Sequence, residues 1–339
     1  MKISLKNISL FSLFILLTFT LAVGSAYATT ITVGSYPWEL AFDSHKNEVF
    51  VTNDASASVS VISAATLTVI TSIKVGTDPT GVAFDSHKNE VFVTNSISNT
   101  VSVISDATNK IITNIPCGAS PCGPGPNGVA FDSHKNEVFV ANTVGTVSVI
   151  SDATNTVTAT ITVGSGPAGV AFDSHKNEVF VTNYGSGTGD TVSVISDATN
   201  KVITTIKVGT GPWGVAFDPH INRVYVTNTF SDTVSVISDA TNKVMTTIKV
   251  GAGPRGVATN ATSAPTGPAS SSLFYAIFVA NQGSGTVSVI AESSNSVVGA
   301  YTGIDSPQGL AVATTTRELY VTNSYSNSPD SDTVTVIPL

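Results

Sequence analysis

The chain has 339 residues, of which 11% are charged and 42% hydrophobic, and it carries a net charge of −8 with 27 glycines, 15 prolines and two cysteines. An average soluble protein is about 25% charged. This composition excludes a disordered chain, a coiled coil and a disulfide-dense miniprotein. The negative charge argues against a nucleic-acid binder, because attraction to phosphates needs a basic surface.

Residues 1–28 have the pattern of a secretory signal peptide. Lys2 and Lys6 precede an apolar run over residues 10–23, and Ala26-Tyr27-Ala28 fits the small-x-small cleavage site. The run is shorter than the roughly 20 residues that span a bilayer, although an uncleaved anchor is the alternative. Cleavage removes two lysines and takes the net charge from −8 to −10. We therefore expect a secreted or cell-surface protein with no membrane span after processing.

One unit recurs along the rest of the chain. The thirteen residues 41–53 return unchanged at 83–95 and 171–183, and with one substitution at 130–142. More divergent copies follow, so that the last Asn of each copy falls at 53, 95, 142, 183, 228, 281 and 323. A second block, Val-Ser-Val-Ile-Ser-Asp-Ala-Thr-Asn, follows at 101–109 and 192–200. These spacings predict seven units.

Each unit contains four short runs of alternating apolar and polar residues, typical of strands. In the second unit these runs are 81–84, 90–95, 100–105 and 110–115. The Asp-Ser-His-Lys-Asn and Ser-Asp-Ala-Thr-Asn segments between them are turn sequences, because Asp accepts nearby backbone N–H groups and Asn tolerates a positive φ. Lysines on the fourth run, such as Lys74, Lys207 and Lys249, protect an exposed edge.

Four antiparallel strands in each of seven units predict an all-β, seven-bladed β-propeller formed by residues 29–339. The chain ends after the third strand of the last unit, and its residues 29–34 match the fourth-strand block at 204–209. We therefore predict that the N-terminal strand completes the last blade and closes the ring. The alternative fold, an open solenoid, does not bring its two ends together, so it would gain nothing from dividing one unit between them.

The repeated motif also resembles a known family. Tyr225-Val226-Thr227-Asn228, with Pro-x-Gly-Val-Ala before it and Val-Ser-Val-Ile after it, is similar to the YVTN-repeat β-propellers. The resemblance extends over essentially all of residues 29–339. It implies a propeller of the secreted or surface-layer type, and it implies no particular activity.

The repeated turns carry all five histidines, at positions 45, 87, 134, 175 and 220. A metal site needs three or four ligands around one ion, whereas one copy per blade separates the histidines around the disc. We therefore expect neither a metal site nor a cofactor, with a pH-sensitive ring as the alternative. The turn aspartates, such as Asp106 and Asp152, are interpreted as turn formers. No nucleophile elbow, phosphate loop or metalloprotease motif occurs, so no catalytic residue is predicted.

One variable position stands out on this copied scaffold. The residue after the inter-blade proline is Trp38, Thr80, Asn127, Ala168, Trp213, Arg255 or Gln308, and Glu39 replaces the glycine that follows in the other six blades. This position should line the mouth of the central channel, beside variable loops that carry Tyr184, Phe230, Asp232 and Tyr325. Apolar rings with a few convergent polar groups suit a small ligand or a peptide, and Trp and Arg dominate protein-binding hot spots. The alternative is that these side chains only fill the channel.

Two insertions have their own interpretation. Cys117 and Cys122 are predicted to form a local disulfide in an oxidising compartment, with a redox or metal-binding role as the alternative. Residues 259–272 are rich in Ser, Thr, Ala and Pro and are expected to form an exposed loop, which contains the glycosylation sequon Asn260-Ala261-Thr262.

The leading functional hypothesis is a secreted or surface scaffold that binds an extracellular macromolecule, or a small ligand at the channel mouth. An alternative is a propeller enzyme of lactonase or lyase type, with Glu39 as general base and Arg255 as oxyanion partner. A structural surface-layer subunit is a further alternative, which fits the low charge and the Ser- and Thr-rich surface.

Overall fold

A computed structural model of the chain describes residues 28–117, 124–261, 275–324 and 332–339. These residues form seven four-stranded antiparallel sheets, which are the blades of a β-propeller. In each blade the strands follow one another from the channel to the rim in chain order, except that β1 is the outer strand of the seventh blade. Within the described ranges, no helix has the length and apolar character needed to cross a membrane.

The strands have nearly the same bounds in every blade. Blade 1 contains β2 (Pro37–Asp43), β3 (Glu48–Asn53), β4 (Ser58–Ser63) and β5 (Thr68–Lys74). Blade 2 contains β6 (Pro79–Asp85), β7 (Glu90–Asn95), β8 (Thr100–Ser105) and β9 (Lys110–Pro116). Blade 3 contains β10 (Pro126–Asp132), β11 (Glu137–Asn142), β12 (Thr146–Ser151) and β13 (Thr156–Thr162). Blade 4 contains β14 (Pro167–Asp173), β15 (Glu178–Asn183), β16 (Thr191–Ser196) and β17 (Lys201–Lys207).

The remaining blades follow the same pattern. Blade 5 contains β18 (Pro212–Asp218), β19 (Arg223–Asn228), β20 (Thr233–Ser238) and β21 (Lys243–Lys249). Blade 6 contains β22 (Pro254–Ala261), β23 (Tyr275–Asn281), β24 (Thr286–Ala291) and β25 (Ser296–Thr302). Blade 7 contains β26 (Pro307–Ala313), β27 (Glu318–Asn323), β28 (Thr333–Pro338) and β1 (Thr29–Thr32). The four runs read from the second unit are confirmed, with one or two residues added at the ends of the first and at the end of the fourth.

The two ends of the chain close the ring. Strand β1 pairs antiparallel with β28, so that Thr29 lies opposite Val336 and Ile31 opposite Val334. Ile31 is 6% exposed and belongs to the apolar cluster between blades 7 and 1. The Thr322 hydroxyl of blade 7 also donates to the Trp38 carbonyl of blade 1, at 2.9 Å. The predicted closure by the N-terminal strand is therefore confirmed.

The core lies between neighbouring blades. Side chains alternate across a strand, so Phe50 packs toward blade 2 while Val49 and Val51 pack toward blade 7. All three are fully buried. The second strand of each blade is therefore apolar on both faces.

The Asn that ends each repeated motif ties the second strand to the third. The Asn53 amide donates to the hydroxyls of Ser58 and Ser60, at 3.2 and 3.0 Å. The same pair of bonds recurs at Asn228, which donates to Thr233 and Ser235. Hydroxyls of the third strand thus satisfy the buried amide NH₂ group of the motif Asn.

The turns have the predicted chemistry. Asp43 accepts the backbone N–H groups of His45 and Lys46 at 2.8 and 3.1 Å, and Asn47 has a φ of 58°. Because the turns after the first and third strands lie at one end of the antiparallel blades, we call that end the lower face. The inter-blade loops and the loops after each Val-Thr-Asn lie on the opposite, upper face.

Three sequence predictions concern residues at or beyond the limits of the described ranges. The signal peptide and Cys122 lie outside them, so cleavage and the disulfide stay predictions; Cys117 is fully buried among apolar residues.

The predicted loop over 259–272 is wrong at its start. Residues 259–261 extend β22 because they pair with the first residues of β23, and Asn260 is only 5% exposed. Thr262 and the rest of that loop lie outside the described residues.

Candidate functional site at the channel mouth

The variable position is held in the same way in most blades. Each of these residues is the second of an innermost strand, and in five of the seven blades its carbonyl accepts a hydrogen bond from the motif threonine of the preceding blade. Thr52 donates to Thr80 at 2.9 Å, and Thr227 donates to Arg255 at 2.6 Å. These bonds fix the backbone while leaving the side chain free to vary, which is how a repeated scaffold can present different groups at one level.

The glycine after this position allows the inner strands to approach closely. A Cβ at Gly214 would lie 2.4 Å from the carbonyl oxygen of Arg255 in the next blade. No side chain fits there without moving one of the strands. Glu39 is the exception in the seven blades, and it therefore places a carboxyl group where the other blades have none.

A cavity of about 120 Å³ occupies the upper part of the channel. Of the predicted site residues, Trp38, Glu39, Thr80, Asn127 and Trp213 line it, as does Ala168. Valines of five inner strands complete the lining. The structure thus brings five of the seven predicted site residues to one cavity. Arg255 and Gln308 do not line it, and Gln308 is 4% exposed.

The two tryptophans meet across the channel. Trp38 and Trp213 belong to blades 1 and 5, which lie nearly opposite in a ring of seven, yet their ring centroids are 6.3 Å apart at an interplanar angle of 64°. Tyr36 stacks on Trp38 at 6.0 Å, and Tyr184 meets Trp213 edge to face at 4.8 Å. Phe230 lies 6.2 Å from Tyr184. We call these five residues the aromatic cluster.

Glu39 is a carboxyl group in a poorly solvated place. Burial in the channel raises its pKa to about 8, although a backbone hydrogen bond from Leu40 opposes the shift. The carboxyl is therefore mainly protonated at neutral pH. Arg255 forms no ion pair with Glu39. The catalytic pairing of a Glu39 base with an Arg255 oxyanion partner therefore stays a prediction.

Arg255 instead packs on the aromatic cluster. Its Cζ atom lies 4.3 Å from the ring centroid of Trp213, a cation–π distance. Its Nε atom is buried and has no hydrogen-bond partner among the described residues. Burial lowers the pKa of Arg255, while the nearby Tyr184 and Tyr36 raise it.

Tyr36 was not among the site residues predicted from the sequence. Its φ is 61°, a left-handed conformation in which other blades have Gly125, Gly166, Gly211 and Gly253. A bulky residue in this region is uncommon and costs conformational energy. An aromatic residue at a position where four copies have glycine was the available signal. Its backbone N–H donates to Asp332 at 3.1 Å.

Asp232 and Tyr325, the other predicted residues of the variable loops, are not part of the aromatic cluster. The Asp232 carboxylate accepts a hydrogen bond from the Gly253 N–H at 3.0 Å and lies 3.3 Å from the Lys249 amine. Asp232 therefore joins its loop to the neighbouring inter-blade loop. The Gly253 hydrogen bond lowers the pKa of Asp232. Tyr325 lies outside the described residues. Within the described part of the chain, no three His, Cys, Asp or Glu side chains come together as a metal site.

Comparisons with known proteins agree on the fold and go no further. Neither a protein-family model nor a curated protein matches this sequence. A hydrazine synthase structure from Kuenenia stuttgartiensis matches at a TM-score of 0.72 and 18% identity, over 89% of this chain and 95% of that one. A streptogramin B lyase structure matches at a TM-score of 0.73 and 13% identity, over 91% of this chain and 96% of that one. At these identities the likeness shows the propeller fold alone, and membership of the YVTN-repeat family stays a prediction.

Proposed function

We propose that this protein is a secreted or cell-surface β-propeller of the YVTN-repeat type that binds a partner through its upper face. The observation that carries this proposal is the convergence of variable residues at the channel mouth. Trp38 and Trp213 come from nearly opposite blades of an otherwise copied ring, and they make contact there.

Two further features of the mouth support binding over simple filling of the channel. Tyr36 places an aromatic ring just before the inter-blade proline, where the other blades have Gly, Asp or Ser, and this ring stacks on Trp38. Phe230, at the outer end of the aromatic cluster, is 60% exposed. An exposed aromatic residue continuous with a partly buried aromatic cluster is typical of a binding hot spot.

The test is a site-specific photo-crosslinker, placed at position 230 on the upper face or at position 135 on the lower face. The protein is then applied to the outer surface of the source cells. We expect a defined crosslinked product from position 230 and none from position 135. The double variant Trp213→Ala and Arg255→Ala, with the crosslinker at 230, should lose the product, whereas His134→Ala and Lys135→Ala should keep it. A product from the lower face alone would contradict the proposal.

A second candidate is a propeller enzyme of lactonase or lyase type. It is favoured by the pKa of about 8 for Glu39, since an acid–base group is most effective near the working pH. The fold likeness to a streptogramin B lyase is compatible with it. A screen of lactones with the wild type and with Glu39→Gln tests it: turnover that Glu39→Gln abolishes would support catalysis, and no turnover by the wild type would remove this candidate.

A further inference from the structure

Arg255 is a charged group without an anionic partner in an aromatic surrounding. No carboxylate of the described residues lies within ion-pair distance of it, and its Nε–H is buried without an acceptor. A buried donor left unpaired costs free energy. Because Nε itself has no exposed surface, a ligand acceptor would reach the terminal N–H groups of the guanidinium, which belong to a side chain that is only partly buried.

The geometry prepares the guanidinium for such a ligand. Trp213 supports its Cζ atom at 4.3 Å, and Tyr184 holds Trp213 from the side at 4.8 Å. A guanidinium held on a ring loses little further freedom when it binds, and its fork of N–H donors matches the two oxygens of a carboxylate.

The charges around the mouth restrict the class of ligand. A cationic ligand would be repelled by Arg255; Glu39 is mainly protonated at pH 7, and the Asp332 carboxylate already accepts hydrogen bonds from the Ser35 hydroxyl and the Tyr36 N–H. A phosphate dianion needs several donors and a positive field, whereas the chain has a net charge of −8. A singly charged carboxylate matches one guanidinium, and the aromatic cluster matches an apolar body attached to it.

We propose that Arg255 and the aromatic cluster bind the carboxylate of a ligand whose body is apolar or aromatic. The inference rests on the proposed upper-face binding function and names the chemistry that the site recognises. Both the free C-terminus of a peptide and a small aromatic acid carry this group.

The chain contains its own reporter for the test. Its only two tryptophans, Trp38 and Trp213, are both at the mouth, so intrinsic tryptophan fluorescence reports on this site. The titrants are N-acetyl-phenylalanine, N-acetyl-phenylalanine amide and inorganic phosphate. We expect the acid to bind at least tenfold more tightly than the amide, and phosphate to produce no saturable change.

A matched pair of variants assigns the effect to one residue. Arg255→Gln should bind the acid and the amide equally, whereas Arg223→Gln, which removes an arginine from the lower face, should keep the tenfold preference. Equal binding of acid and amide by the wild type would overturn the inference, as would a preference retained in Arg255→Gln. Acetyl-Ala-Ala-Phe distinguishes the sources: tighter binding than N-acetyl-phenylalanine indicates a peptide C-terminus, and equal binding indicates a small acid, each consistent with carboxylate recognition.

The crosslinking experiment separates this inference from the proposed function. If position 230 gives its product while the wild type shows no preference for the acid, carboxylate recognition is wrong and upper-face binding stands. If position 230 gives no product and the acid is still preferred, the macromolecular partner is wrong and the mouth binds a small acid.

Discussion

The Nδ1 atom of His45 lies 2.7 Å from the Oδ2 atom of Asp106, although the two residues belong to neighbouring blades. The same contact recurs around the lower face, as His87–Asp152, His134–Asp197, His175–Asp239 and His220–Glu292, at 2.5 to 2.7 Å. About half of each histidine side chain is exposed, whereas the carboxylates are buried. The histidine turn of one blade is thus fastened to the Ser-Asp-Ala-Thr-Asn turn of the next, except at His220, whose partner is Glu292.

Replacing one of these carboxylates should loosen the contact between two blades. In Asp152→Asn the acceptor for His87 loses its charge, and a hydrogen bond to a charged group contributes about 1.5–3 kcal/mol. We expect a loss of about 1–2 kcal/mol in the free energy of unfolding, measured by urea denaturation at pH 7. Asp190→Asn is the control, because Asp190 is 43% exposed in its pair with Lys207 and should cost about 0.5 kcal/mol or less. Equal losses in both variants would contradict the structural role of the lower-face contacts.

These contacts show where sequence reasoning ends. The ring, its seven blades and its closure followed from the repeats, because each unit contains its own strand and turn pattern. The Asp106 turn was interpreted only as a local turn former, because its bond to His45 depends on the stagger between two units. The sequence of a single unit does not determine that stagger.

The positions of the site residues could be predicted from the repeats, but the contacts between different blades could not. The register of the repeats placed Trp38 and Trp213 at the channel mouth without any structure. Their contact depends on the diameter of the channel, which seven twisted blades set together. The left-handed conformation of Tyr36 recurs before the inter-blade proline of every blade, whereas the stacking of its ring on Trp38 depends on the geometry of the mouth.

Glu39 should make stability depend on pH. Its folded-state pKa of about 8 exceeds the ordinary value of 4.5, so the folded protein binds a proton that the unfolded chain releases between these values. Stability from this group is therefore highest at low pH and falls as the pH rises from 4.5 to about 8. Above pH 8 the folded state contains an unpaired, poorly solvated carboxylate.

Two variants isolate this contribution. Glu39→Gln keeps the size of the side chain, and Glu39→Gly restores the residue of the other blades. Both should raise the free energy of unfolding at pH 9 relative to the wild type, by about 1–3 kcal/mol, and change it little at pH 4.5. Because burial and Asp78 also raise the pKa of Asp54, to about 7, the difference between wild type and variant is the quantity to compare. A difference independent of pH would show that the Glu39 carboxyl is well solvated.

Gly214 should tolerate no side chain. Its Cβ would meet the Arg255 carbonyl at 2.4 Å, so Gly214→Ala must push blades 5 and 6 apart and should cost about 2–4 kcal/mol. Gly303→Ala is the comparison, because a Cβ there meets nothing within 4 Å and only its φ of 75° opposes the change, at about 1 kcal/mol. Thermal or urea unfolding measures both. A cost no larger at Gly214 than at Gly303 would mean that the inner strands are not closely packed.

Ala141 offers a substitution that should stabilise the protein. In blade 4 the Thr182 hydroxyl accepts the Gly169 N–H at 2.8 Å and donates to the Trp213 carbonyl at 2.7 Å. Blade 3 has Ala141 at this register, so no threonine hydroxyl stands between its inner strand and that of blade 4. Ala141→Thr should supply both bonds and raise the free energy of unfolding by about 0.5–1.5 kcal/mol.

The variant Ala141→Val separates the effect of the hydroxyl on stability from the effect of the added side-chain volume. Ala141→Val brings a side chain of similar shape with no donor or acceptor, so its stability should stay below that of Ala141→Thr. The reverse change, Thr182→Val, should destabilise blade 4 because it leaves the Gly169 N–H and the Trp213 carbonyl without their partner. If Thr and Val at position 141 stabilise equally, the gain comes from filling space, and the threonine bridge between blades contributes nothing measurable.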